Sequence, residues 1–124
     1  MVWKGVIIEE SLEDKRLLDS VNVVVTKKSS LEEEKEKGFM KFHNIEVEDR
    51  KKDKFVQQAC KSIKQGWYIH ICSGDRMVVI FKGKSFELEE KEHSKLDEAR
   101  KYGLPIGIIK EQLPSKDLIK NPYD

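Results

Sequence analysis

Residues 67–89 read WYIHICSGDRMVVIFKGKSFELE, and two glycines in that stretch decide the fold. Ser73-Gly74-Asp75-Arg76 and Lys82-Gly83-Lys84-Ser85 each place glycine ahead of a polar residue, the preference of a two-residue type II′ hairpin with glycine at its first central position. Three meandering strands are expected, at about 67–72, 77–82 and 85–89. Residues opposite one another in antiparallel strands point to the same face, so the turns also assign the faces. One face carries Tyr68, His70, Cys72, Met77, Val79, Phe81, Phe86 and Leu88; the other carries Trp67, Ile69, Ile71, Val78 and Ile80, then Lys82, Ser85, Glu87 and Glu89. The first two strands are apolar on both faces and the third on one.

Working outward, residues 51–64 read as a helix behind an Asp49 N-cap. Phe55, Val56, Ala59, Cys60 and Ile63 fall on one side of it, and Gly66 marks its stop. This helix is the nearest cover for the Trp67 and Ile69 face. The Tyr68 and His70 face is then expected to curve over on itself or to meet strands from the N-terminal half, at 2–8, 21–26 and 39–47. Alternation in the last of these falters at His43 and Asn44, the signature of a bulge. Residues 27–38 read as a hairpin loop. A second helix is expected from Ser94 to Tyr102, stopped by Gly103-Leu104-Pro105, and an extended tail with a helical turn near Glu111 should follow. Ser11 with Asp14 has capping-box spacing, but the apolar stripe after it is short. The reading is α+β: a curved, mainly antiparallel sheet of about six strands, half-open and barrel-like, with two helices.

The chain has 124 residues, one domain's worth spanning 1–124. Only four of the 27 residues from Phe55 to Phe81 are charged, against 38% of the whole chain, so the core is centred there. Lys plus Arg is 24 and Asp plus Glu is 23. That balance argues against wholesale disorder and against nucleic-acid binding, which favours a one-signed basic surface. No apolar run suits a membrane span, and the first ten residues lack the form of a secretory signal, so a cytoplasmic address follows by default. Cys60 and Cys72 cannot make a disulfide framework.

Chemistry centres on His70, an imidazole on a mostly apolar strand face. It reads first as a hydrogen-bonded core histidine and second as a ligand-binding or acid-base group. With His43 it could form an acid-base pair; with His43 and Cys72 it could hold zinc, but there is no Cys-x-x-Cys or His-Glu-x-x-His, and no metal site is expected. Cys60 reads as a buried hydrophobe and Lys82-Gly83-Lys84 as a solvated turn rather than a phosphate loop. The aromatic residues Trp67, Tyr68, Phe81 and Phe86 are explained by core packing more simply than by stacking on bases.

Three functional readings follow. The first is a non-enzymatic module binding a small ligand through Tyr68, His70, Met77, Phe81 and His43 on a concave sheet face. The second is a small enzyme with a histidine general acid or base. The third is a protein-interaction or homodimerisation module using the Trp67 face. The residues name no cofactor, substrate or catalytic group.

Overall fold

The computed structural model describes residues 2–29, 40–91, 93–108, 114 and 117–123. Six strands form one antiparallel sheet: β1 (Val2–Ile8), β2 (Asn22–Ser29), β3 (Met40–Glu48), β4 (Ile69–Ser73), β5 (Arg76–Phe81) and β6 (Lys84–Glu89), in the order β2-β3-β1-β4-β5-β6. Among the described residues three α-helices accompany it, α1 (Lys52–Ser62), α2 (His93–Gly103) and the short α3 (Asp117–Lys120). The fold is α+β as the sequence implies, but the sheet stays open rather than closing toward a barrel, with β2 and β6 at its edges. The expected hairpin loop at 27–38 falls partly on β2, and its remainder, like the helical turn near Glu111, lies outside the described residues.

The meander has the predicted faces. Its first turn falls on Gly74-Asp75, with Ser73 opposite Arg76 and Gly74 at φ 61°. The second sits one residue earlier than expected: Phe81 faces Lys84, so Lys82-Gly83 is the loop and its glycine, at φ 76°, takes the second central position. Moving a two-residue turn by one residue shifts the pairing by two, and a shift of two leaves every side chain on its original face.

Helix α1 covers the Trp67 and Ile69 face as expected. Phe55, Ala59 and Ile63, spaced four apart, are buried against Ile69, Ile71, Val78 and Ile80, and Trp67 packs at the margin. Leu12, just after a 3-10 segment at Glu9–Ser11, and Leu17, within another at Lys15–Ser20, extend this core over β1 and β3. Asp49 does not cap α1. It starts a 3-10 turn, Asp49–Lys51, and accepts a hydrogen bond from the Trp3 indole at 2.8 Å. At the other end of α1 the β5–β6 turn supplies the cap: Lys82 donates to the Lys61 carbonyl at 2.9 Å, and the Gly83 amide to that of Cys60 at 3.0 Å. The Lys82-Gly83 turn is therefore a helix cap rather than a solvated turn.

The Tyr68 and His70 face has a cover the sequence did not indicate. It neither curls over on itself nor meets other strands. Leu96 and Ala99 of α2, with Ile108 and Ile119 beyond it, bury Cys72, Met77, Val79, Phe81 and Leu88 in a second core. Helix α2 starts one residue before Ser94 and stops at Gly103.

The two halves of the sheet meet only where β1 pairs with β4, at Lys4 with Cys72, Gly5 with Ile71 and Val6 with His70. A Cβ at position 5 would overlap the His70 carbonyl oxygen. Gly5→Ala should therefore cost at least about 2 kcal/mol in urea unfolding, whereas Gly83→Ala, whose Cβ would meet nothing within 4 Å, should cost about 1 kcal/mol of backbone strain. Equal losses would show that the β1–β4 approach is not a tight constraint.

Candidate functional site

His43 and His70 stand on opposite faces of the sheet. His70 pairs with Val6 and His43 with Ile7, and neighbouring residues of β1 point in opposite directions. The expected pair does not form, and no single ion could take His43, His70 and Cys72 together. Among the described residues no group of three or more His, Cys, Asp or Glu side chains could hold a metal ion.

The proposed ligand-binding residues on the other face are packed rather than open. Met77 and Phe81 have no exposed surface and His70 is 6% exposed. Tyr68, Phe81, Phe86 and Tyr102 form a run of ring contacts, with the Phe81 and Tyr102 centroids 5.0 Å apart. The C-terminal segment lies across β4, where His70 Nε2 donates to the Pro122 carbonyl at 2.6 Å and the Cys72 thiol to that of Leu118 at 3.3 Å. Tyr123 reaches further, donating to the Ile45 carbonyl at 3.3 Å. Burial pushes the Cys72 thiol up to about 12 and keeps the Tyr68 phenol protonated, so neither ionises near neutrality. The Trp67 face is likewise covered by α1, with Trp67 itself partly buried at the margin.

His43 instead meets two residues that the sequence reading did not connect with it. Its Nδ1 lies 2.8 Å from the Thr26 hydroxyl and its Nε2 lies 3.1 Å from Glu9 Oε1. A carboxylate can only accept, so Nε2 carries the proton; in the neutral ring Nδ1 then accepts, and Thr26 donates to it. In that neutral form the hydrogen bonds run from hydroxyl to imidazole and from imidazole to carboxylate. The ring is almost buried and Glu9 is 21% exposed, whereas Thr26 lies in the open. Lys15 and Lys41 each approach Glu9 Oε2 to 3.9 Å, and Glu10 holds the Lys41 amide at 2.9 Å.

A bulge creates this contact. Asn22 and Val23 pair with Glu46 and Ile45, but Val25 pairs with Asn44, so Val24 is the extra residue. Without it Thr26 would face Phe42 and its hydroxyl would point to the far side of the sheet. With it Thr26 faces His43. The faltering alternation at His43 and Asn44 signals this irregularity, although the extra residue belongs to the neighbouring strand. Glu9, directly after β1, carries no local signal at all.

Beside α1 lies a cleft of about 460 Å³, lined in part by Asp14, Arg16, Asp19, Gln58 and Lys61. Its guanidinium is already engaged by Asp14 at 3.0 and 2.8 Å. The cleft presents no directed chemistry comparable to the His43 relay. No family model, curated protein or solved structure matches the chain.

Burial holds the His70 imidazole below its ordinary value near 6.5, outweighing the Pro122 carbonyl, which favours the charged form. The unfolded chain then binds a proton that the folded chain refuses. Stability contributed by this site is present above about pH 6.5 and falls as the pH drops below it. Urea unfolding at pH 7.5 and 5.0 should show this loss, reduced in His70→Gln; an unchanged pH dependence would mean that His70 is not the group responsible.

Proposed function

We propose that the chain is a small hydrolase or transferase in which His43 is the general base for the Thr26 hydroxyl and Glu9 orients the imidazole. The observation that carries this reading is the contact of an exposed Thr26 hydroxyl, at 2.8 Å, with one nitrogen of a nearly buried imidazole whose other nitrogen lies 3.1 Å from Glu9. In an acyl transfer, Thr26 Oγ1 attacks a carbonyl carbon as its proton passes to His43 Nδ1. The carbonyl electron pair moves to oxygen. The resulting imidazolium is stabilised by Glu9, and on collapse it returns the proton to the departing group, leaving an acyl ester on Thr26. Water, deprotonated by the same nitrogen, then attacks the ester carbon, and collapse breaks the bond to Thr26 Oγ1, which takes the proton back from His43 as the acid departs.

The small-ligand reading on the Tyr68, His70, Met77 and Phe81 face has less support, since a ligand there would have to displace α2 and residues 118–123. A cytoplasmic location is part of the same proposal. The two free thiols, Cys60 and Cys72, suit a reducing compartment, and no helix among the described residues is long and apolar enough to cross a membrane.

A fluorophosphonate probe tests the relay without knowledge of the substrate. Peptide mapping by mass spectrometry should place the phosphonyl group on Thr26. Labelling should slow by about 100-fold or more in His43→Gln, less in Glu9→Gln, and persist in Thr26→Ser. Labelling at another residue, or at equal rates in the wild type and His43→Gln, would overturn the proposal.

A further inference from the structure

The same strand that carries Thr26 has a second unusual property. Val23, Val24 and Val25 are 37%, 48% and 43% exposed, three consecutive apolar residues on an edge strand of a chain whose residues are 38% charged. The other large exposed apolar residues among the described residues, Val2 and Leu104, are scattered singly. The opposite edge, β6, has no such run of exposed apolar residues and carries charges at Lys84, Glu87 and Glu89. Beyond the valines the character of β2 changes abruptly. Lys27 and Lys28 are exposed, and Lys28 stands directly opposite Lys41, like charges facing each other across the ladder.

We infer that the β2 edge is a docking site for an extended acidic peptide, which adds to the sheet as a seventh strand. The main-chain groups of β2 facing away from β3 supply a hydrogen-bonding template that is independent of the peptide's sequence. The valines favour apolar side chains at one end, and Lys27, Lys28 and Lys41 favour carboxylates at the other. Every pair in the sheet is antiparallel, so the bound strand runs antiparallel to β2, with its acidic residues near its own N-terminus. Carboxylates there pair with Lys27 and Lys28, whereas an antiparallel second copy of β2 would bring its own Asn22 and valines, not carboxylates, beside those lysines. Docking does not require the relay to be catalytic. If the relay is catalytic, the peptide residue opposite Thr26 lies on the same face as its hydroxyl.

The test is a titration of the full ¹⁵N-labelled chain with the synthetic peptide acetyl-EETVTV-amide, followed by amide shifts and hydrogen exchange. Amides of residues 22–28 should shift and gain protection. Binding should weaken by about tenfold in the double variant Lys27→Glu, Lys28→Glu, and with the charge-reversed order acetyl-VTVTEE-amide. Amide shifts on peptide addition and labelling of Thr26 are read independently, which separates failure of the docking surface from failure of the relay. Shifts confined to other strands, no shifts at millimolar peptide, or concentration-dependent pairing of β2 with a second copy would each overturn the inference.

Discussion

The close approach of β1 to β4 is the constraint on which the other features rest. Three residue pairs join the β2-β3-β1 half of the sheet to the β4-β5-β6 half, and glycine at position 5 leaves room for the His70 carbonyl. Because Gly5 pairs with Ile71 on one side and Ile45 on the other, it also sets which side chains of β3 and β4 share a face. The core under α1 therefore runs unbroken from Val47 and Trp3 to Ile80. Lys52 reinforces that side, with its ammonium 5.1 Å from the Trp3 ring centroid and 2.6 Å from Glu87 Oε1, linking β1 and β6 through the first turn of α1. The same parity sends His43 and His70 to opposite sides of the sheet.

One residue of β2 reverses this logic locally. In a uniform ladder Thr26 would sit on the far face from His43, and the extra residue at Val24 turns it over. A bulge interrupts an apolar edge strand and weakens regular pairing there, a structural cost that needs a compensating interaction. The compensation in this chain is polar: the Thr26 hydroxyl, the His43 ring and the Glu9 carboxylate satisfy one another at 2.8 and 3.1 Å. Both ring nitrogens are engaged, so the imidazole is held in orientation while the hydroxyl end of the relay stays accessible.

Much of the fold was legible in the sequence because side-chain parity in a strand is a strong code. Two glycines fixed the faces of β4, β5 and β6, and those faces survived a displaced second turn since the pairing moved by two. The spacing of Phe55, Ala59 and Ile63 identified α1 and its buried side. What covers the Tyr68 face was not legible. Leu96, Ala99, Ile108 and Ile119 are sparse apolar positions in charged sequence, and nothing local says on which side of the sheet they pack. Asp49 has cap chemistry but is taken by the Trp3 indole, a partner 46 residues away. The site was half legible. His43 and a nearby irregularity stood out, whereas its partners come from β2 and from the turn after β1, brought together only by pairing between strands.

The central claim is that His43 is a directed base, with Nε2 protonated against Glu9 and Nδ1 accepting from Thr26. Long-range ¹H–¹⁵N NMR of the imidazole nitrogens at pH 8 tests it most directly. The account predicts a single neutral tautomer for His43, protonated at Nε2, with an Nδ1 resonance that shifts in Thr26→Val and remains close to wild type in Thr26→Ser. A proton on Nδ1, an averaged mixture of tautomers, or an Nδ1 resonance indifferent to the loss of the Thr26 hydroxyl would contradict it.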